Sequence, residues 1–278
     1  MTFSIQIGHK KIGPSESVCI MGVLNLSPES FYQHSVVNTE QSIRSRIDRF
    51  IQEGAEILDL GPKSTAPVDI YGRPTNISPE EEIKRLKLPL KIINDLEEKI
   101  LISVDTQSAI VAEYALKHGC QIINDIAGFN DPEMMNVIAK YDAATVIMPA
   151  LEKPGDIYKV EEIKRFFKKT LEKAEKKGVN PKKIMLDPGI GGWVKERTPE
   201  DDYTLLKHLK DFRISENAIL VGLSRKSFIG AILNAPPEAR LYGSLAATAI
   251  AVVNGADVIR SHDILATRDT IRIAEQLR

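Results

Sequence analysis

The chain has 278 residues, with 43% hydrophobic and 27% charged side chains, an ordinary balance that supports a large core in one or two domains. Its 37 basic and 38 acidic residues leave a formal charge of -1, so no bulk field draws it to nucleic acid or an anionic membrane. Any anion it binds must be held by a local cluster. No run approaches the length of a membrane span, and the opening MTFSIQIGHKKIG lacks the apolar stretch of a signal peptide. With Cys19 and Cys120 both inside apolar runs, the expectation is a cytoplasmic protein with two buried free thiols.

Residues 1–17 alternate weakly at Phe3, Ile5 and Ile7 and turn at Gly13-Pro14, which suits an N-terminal extension folded as a small hairpin across the bottom of residues 18–278. From there a pattern repeats. Cys19–Leu24 is apolar and ends at Asn25, and a long polar connection with Phe31, Tyr32 and His34 leads to a helical segment over Thr39–Glu53. Ala55–Leu60 carries Asp59 and runs out into Lys63, Ser64 and Thr65. A second long loop closes at Ser78, a natural N-cap, before a helix over Pro79–Glu98 with proline and three acids in its first turn.

Ile100–Val104 ends at Asp105, Cys120–Ile123 at Asn124-Asp125, Ala144–Met148 at Pro149, and Lys183–Leu186 at Asp187. Ala218–Val221 ends at Gly222 with Arg225 and Lys226 close behind, and Ala256–Ile259 runs into Arg260, Ser261, His262 and Asp263. Helical segments over Gln107–His118, Asp131–Lys140, Val160–Lys177, Thr198–Lys210 and Arg240–Asn254 fill the intervals. Eight short apolar runs with polar ends, separated by helices, predict a single-domain α/β fold, the (β/α)8 TIM barrel. The competitor is an open doubly wound sheet, whose usual dinucleotide version is removed because no Gly-x-Gly-x-x-Gly follows the first strand.

The tips of neighbouring barrel strands converge on one mouth. Asp105, Asn124 and Asp187 bring acceptors and an amide there with no thiolate or imidazole beside them, which does not resemble a zinc set. It suits a ligand rich in N–H groups, such as an amino-substituted heterocycle, with Lys226 facing the ring's acceptors. Gly189, Gly191 and Gly192 leave bare backbone against which a ring can lie, and Trp193 either stacks or packs nearby. Arg260 and His262, with Arg225 and Lys226, form a candidate anion site after the last two strands, unless Asp263 pairs with Arg260 and the cluster is structural. Asn25 is either a turn residue or a ligand for a metal ion or phosphate oxygen, and Thr65 is either a turn residue or a hydroxyl near the substrate. A heterocycle on one side and a phosphate or diphosphate on the other leave a carbon between them, at which displacement can occur.

The segments MGVLNLSPESF, GAEILDLGPKSTAP, ISVDTQ, GCQIINDIAG, LDPGIG, VGLSRKSFIG and GADVIRSHD resemble, in this order and spacing, the motifs of the dihydropteroate synthase family. The likeness covers nearly the whole chain from Val18. It implies a pterin-binding barrel that joins 7,8-dihydropterin-6-ylmethyl diphosphate to 4-aminobenzoate and releases diphosphate through a pterin cation. It further implies that Asp105, Asn124, Met148, Asp187, Lys226 and Arg260 bind the pterin, with Lys226, Asp105 and Asp187 as the catalytic set. Asn25, Arg260 and His262 would bind the diphosphate, Asn25 also holding Mg2+, and Thr65 and Ser227 the aminobenzoate. The resemblance also implies a homodimer.

The departures from the family's pattern lie in or near the loops that handle the second substrate. Lys63 and Ala66 stand where the family has Glu and Arg around Ser-Thr, and Pro149 stands for the histidine after the fifth strand. Gly192-Trp193-Val194-Lys195 replaces the usual Phe-Gly-Lys after DPGIG, and Gln33-His34-Ser35 replaces an Asp-Gly-Gly tail. The alternative to a synthase is therefore a diverged pterin-binding paralogue, either using a different aniline or methyl-transfer substrate or lacking enzymatic activity.

Overall fold

The computed structural model describes residues 3–28, 37, 39–65 and 77–278. Strands β1 (Ile5–Ile7) and β2 (Lys10–Ile12) pair antiparallel as a hairpin. The remaining strands are β3 (Cys19–Asn25), β4 (Ile57–Gly61), β5 (Leu101–Asp105), β6 (Ile122–Asp125), β7 (Ala144–Ile147), β8 (Ile184–Leu186), β9 (Leu220–Gly222) and β10 (Val258–Ser261). They form one parallel sheet of 8 strands in which the first, β3, lies beside the last, β10, with Met21 opposite Arg260. The ring closes between β8 and β9, where Leu186 N donates to Ala218 O at 2.8 Å. The architecture is a (β/α)8 barrel, and the open doubly wound sheet is ruled out by that closure.

Around it lie α1 (Glu40–Glu53), α2 (Pro79–Asn94), α3 (Ala109–Lys117), α4 (Met134–Tyr141), α5 (Val160–Lys176), α6 (Pro199–Lys207), α7 (Ser227–Leu233), α8 (Leu241–Val253) and α9 (Ile264–Ala274). Their starts are set by local chemistry. Thr39 and Ser42 cap α1 reciprocally, Ser78 caps α2 ahead of Pro79, and Thr198 and Asp201 cap α6. The helix expected to reach Glu98 stops at Asn94, with Asp95 as its C-cap.

The two-residue period of the strands decides what fills the barrel. One face sends Leu58, Leu60, Ile102, Val104, Ile123, Ile147, Val221 and Ile259 outward into the layer beneath the helices. The other face sends Ile57, Leu101, Ile122, Met185, Leu220 and Val258 inward, where they join Ile5, Ile7 and Ile12 of the hairpin. The hairpin thus plugs the barrel's N-terminal end with apolar side chains. Polar groups at that end serve the frame. Asp257, directly before β10, accepts from Ile219 N at 2.8 Å and pairs with Arg213 at 2.8 Å and Arg278 at 2.6 Å.

Two residues further along five of the strands, the same inward face turns polar. Ile57 is followed by Asp59, Leu101 by Ser103 and then Asp105, Ile122 by Asn124, Met185 by Asp187, and Val258 by Arg260. Strand alternation alone therefore carries the interior from an apolar floor to a polar mouth at the C-terminal end.

Candidate active site

The centre of the mouth is a buried network around Asp59. Its carboxylate accepts from Ser103 Oγ at 2.6 Å, from Asn124 Nδ2 at 3.2 Å and from Arg260 Nε at 2.6 Å. A carboxylate with no exposed surface needs such partners, since an unpaired buried charge is far too costly to keep. Arg260 reaches on with Nη2 to Asp105 Oδ2 at 3.0 Å. The other oxygen of Asp105, Oδ1, is buried and has no hydrogen-bond partner among the described residues. Burial pushes the Asp105 carboxyl up, the Arg260 charge pulls it back, and the neighbouring carboxylates Asp59, Glu82 and Asp125 push it further up. Glu82 is itself buried in the first turn of α2, accepting from Thr106 Oγ1 at 3.0 Å. Asp125 faces a different task, holding Ala127 N and Phe129 N at 2.9 Å each.

On the opposite arc stand Asp187, Lys226 and their glycine-rich backing. Asp187 accepts from Gly189 N at 2.8 Å, and burial raises its carboxyl while that bond and the charges of Lys226, Arg260 and Arg197 lower it. Met148 is buried against Gly189, where φ is 71° and an added Cβ would lie 2.9 Å from the thioether sulfur. Lys226 runs along Gly191, whose missing side chain leaves room for its stem. Burial brings the Lys226 ammonium down to about 8, with Asp187 and Asp202 opposing that fall and Arg260 and Arg197 adding to it. Gly192 N donates to Ser227 Oγ at 3.2 Å, at the start of α7.

The anion cluster expected after the last two strands is rearranged. Asp263 pairs with Arg225, not Arg260, through bonds of 3.0 and 2.8 Å, and Arg225 also donates to the carbonyls of Pro237 and Glu238 at 2.9 Å each. Arg225 is therefore committed to holding the loop before α8. His262 lies with Nδ1 3.1 Å from Ser224 Oγ. Its imidazole is pushed down to about 3 by burial and by the charges of Arg260, Arg225, Arg46 and Lys226. The charges of four cations thus act on a neutral ring at this side of the mouth.

Asn25 ends β3 with its side chain over Gly61, and Thr65 is half-buried in the segment after β4. The magnesium expectation is corrected. Among the described residues no group of three or more His, Cys, Asp and Glu side chains is placed to hold a metal ion. Asn25 brings one neutral amide, and the interior carboxylates Asp59 and Asp105 are already matched to Arg260. Phe31, Tyr32, His34, Ala66 and Arg73 fall outside the described residues.

Sequence reasoning passed over Asp59 because it sits inside a strand, not at a tip. The signal was present: a lone carboxylate in Ile57-Leu58-Asp59-Leu60 can be buried only with donors around it, and Arg260 is the inward cation on β10. Arg46 was missed because on α1 it reads as an ordinary surface residue. Trp193, left open between stacking and packing, lies over Lys226 with the ammonium 4.4 Å from its ring centroid.

A closed barrel with its buried polar groups gathered at the C-terminal mouth defines a TIM-barrel enzyme. The family described as pterin binding enzyme matches residues 21–262. A dihydropteroate synthase from Synechocystis sp. is 36% identical, covering 98% of this chain and 94% of that one. Among solved structures, a Coxiella burnetii dihydropteroate synthase in complex with pteroic acid is 32% identical with a TM-score of 0.85, covering 98% of both chains. A Xanthomonas albilineans dihydropteroate synthase with 4-aminobenzoic acid is 27% identical with a TM-score of 0.85, covering 99% of this chain and 97% of that one. The chain belongs to the pterin-binding enzyme family, among its dihydropteroate synthases.

Proposed function

We propose that the chain catalyses the dihydropteroate synthase reaction, moving the 7,8-dihydropterin-6-ylmethyl group from its diphosphate to 4-aminobenzoate. The observation that carries this reading is the buried Asp105 Oδ1, an acceptor without a partner among the described residues, in a mouth lined by Asn124, Asp187 and Lys226. A pterin ring, with its amino group and ring N–H, presents donors to such acceptors, and an unmet buried acceptor gains most from receiving one. Asp105, Asn124 and Asp187 take the ring's N–H groups, Lys226 donates to its acceptors, and Met148 packs on its face. Arg260 and His262 lie toward the diphosphate, where the nearby charges of Arg46 and Lys226 favour an anion. Asn25 orients a diphosphate oxygen through its amide, while Thr65 and Ser227 border the aminobenzoate.

The bond between the pterin methylene carbon and the diphosphate oxygen breaks, and its electron pair leaves with the diphosphate. The ring nitrogens spread the positive charge of the cation that remains. The aniline nitrogen then forms the new C–N bond and gives up a proton to solvent or to the departing diphosphate. The site's work is orientation and charge stabilisation, with no protein nucleophile.

A homodimer is the assembly that suits the outer face of α8. Tyr242, Ala246, Ile250 and Val253 recur there at helical spacing, and Tyr242 is 83% exposed. Among the described residues no helix is long and apolar enough to cross a membrane. A cytoplasmic setting suits the two free, buried thiols of Cys19 and Cys120.

The experiment that tests the reaction is a diphosphate-release assay with the pterin diphosphate, run with and without 4-aminobenzoate and with substituted anilines. Release that depends on an aniline supports the synthase reading. Pterin binding with no aniline-dependent release moves the chain to the non-synthase alternative.

A further inference from the structure

Trp193 is the chain's only tryptophan, and its ring is fixed by two contacts independent of Lys226. Its Nε1 donates to Gly189 O at 2.9 Å, tying the indole to the glycine-rich turn after β8. Gly155, at φ 72° in the segment after β7, forms a notch that the indole fills, since a Cβ there would overlap it. Lys226 then meets the fixed ring face, its Nζ 4.4 Å from the centroid. At Gly191 an added Cβ would lie 2.7 Å from the lysine Cδ and 2.9 Å from Nζ. The lysine thus runs between bare backbone and an aromatic face, and has little freedom to leave.

We propose that Trp193 is a positioning residue for Lys226, whose indole face seats the ammonium at the mouth and favours its protonated form. This rests on the reading of Lys226 as a group that donates to the pterin. The charged groups facing Lys226 are Asp187 at the end of β8, Asp202 on α6, Arg197 in the loop between them and Arg260 on β10. The two carboxylates and the two guanidinium groups oppose each other, and burial takes the ammonium down to about 8. In that balance, the attraction of the aromatic face adds to that of the carboxylates in favouring the charged lysine. The segment Gly192-Trp193-Val194-Lys195, which departs from the family's usual Phe-Gly-Lys, therefore supplies an aromatic face of its own to the lysine.

The single tryptophan gives a direct readout that needs no substrate. Trp193 emission in the unmodified protein, titrated from pH 6.5 to 9 so as to stay below tyrosine ionisation, is expected to change in one step with a midpoint near 8. In Lys226→Met that step should be absent. In steady-state assays, Trp193→Leu should move the alkaline limb of kcat/KM for the pterin diphosphate down by about 0.5–1 pH unit, because loss of a cation–π contact disfavours the charged lysine. Trp193→Phe, which keeps a ring face, should shift it by less than half as much. A step that persists in Lys226→Met, or no step at all, overturns the proposal. So does an alkaline limb that stays in place in Trp193→Leu while melting temperature falls, the mark of a purely structural role. Absence of aniline-dependent diphosphate release in the unmodified protein would count against the reaction instead, and the emission titration would still decide the role of Trp193.

Discussion

Asp59 and Arg260 are 201 residues apart in the chain and 2.6 Å apart inside the barrel, where the carboxylate accepts from Nε of the guanidinium. That bond aims Arg260 across the interior, so that its Nη2 meets Asp105 and, among the described residues, only one oxygen of that carboxylate is engaged. Asp59 also holds Asn124, so one mid-strand residue orients three of the groups read as contacting the pterin side of the site.

Asp59→Asn should therefore weaken both fold and site. It leaves Arg260 with Asp105 as its one remaining ion pair among the described residues, and removing one member of a buried ion pair costs about 3–5 kcal/mol. Denaturant unfolding at neutral pH should show that loss, and calorimetry should show reduced pterin affinity. Unchanged stability would mean that Arg260 has found another buried partner.

Asp187→Asn tests the acceptor set away from the Asp59–Arg260 pair, and Asp105→Asn tests it at the far end of that network. Each exchanges a carboxylate oxygen for an amide donor facing ring N–H groups, so donors meet donors and the ligand is left unpaired. Pterin affinity measured by calorimetry should fall by about 1–3 kcal/mol in each variant. Wild-type affinity in both would reject the assignment.

How far the sequence foretold this depends on where along a strand a residue sits. Asp105, Asn124, Asp187 and Arg260 were legible because they end or follow apolar runs, and the two-residue period brings them to one mouth. The hairpin was visible only as a weak alternation, yet Ile5, Ile7 and Ile12 join the barrel floor. Pairing among the charges was not legible. Whether Asp263 takes Arg225 or Arg260 depends on angstrom-level placement of two helix starts, and the structure gives it Arg225. The fixed position of Trp193 depends on Gly155, 38 residues earlier, a contact that no local pattern announces.

His262 should shape the acid side of the stability curve. Its imidazole is pushed down to about 3 in the folded protein, whereas an unfolded histidine takes its proton near 6.5. Between those values the unfolded chain binds the proton and the folded one does not, so stability is full above 6.5 and falls as the pH drops toward 3. His262→Gln removes that linkage. Unfolding measured between pH 4 and 7 should therefore be less steep with pH in the variant than in the unmodified protein, and identical slopes would disprove the buried neutral state.

The homodimer reading is tested on α8. Ile250 is 51% exposed on the same stripe as Tyr242 and Val253, so Ile250→Glu places a charge on the surface proposed to bury. Light scattering should show a dimer in the unmodified protein and a monomer in the variant, with the circular dichroism spectrum unchanged. A monomer in both cases would remove the dimer and leave that stripe without a partner.

Ala66 bears on the second substrate. It lies outside the described residues, and its importance comes from the family pattern, in which an arginine follows Ser-Thr in this loop. Arginine offers a rigid fork of donors that matches a carboxylate, and alanine offers none. Lys226 is engaged by Trp193, Gly191 and the acceptor side of the site, so it is poorly placed to hold the aminobenzoate carboxylate as well. The unmodified protein should then show a high KM for 4-aminobenzoate while binding the pterin diphosphate normally. Ala66→Arg should lower that KM with little change in kcat, the signature of a contact made equally in ground and transition states. Anilines lacking the carboxylate should gain nothing from the substitution, which separates a restored carboxylate contact from a general tightening of the loop. Tight use of 4-aminobenzoate by the unmodified protein would show that another group of this chain already reads the carboxylate.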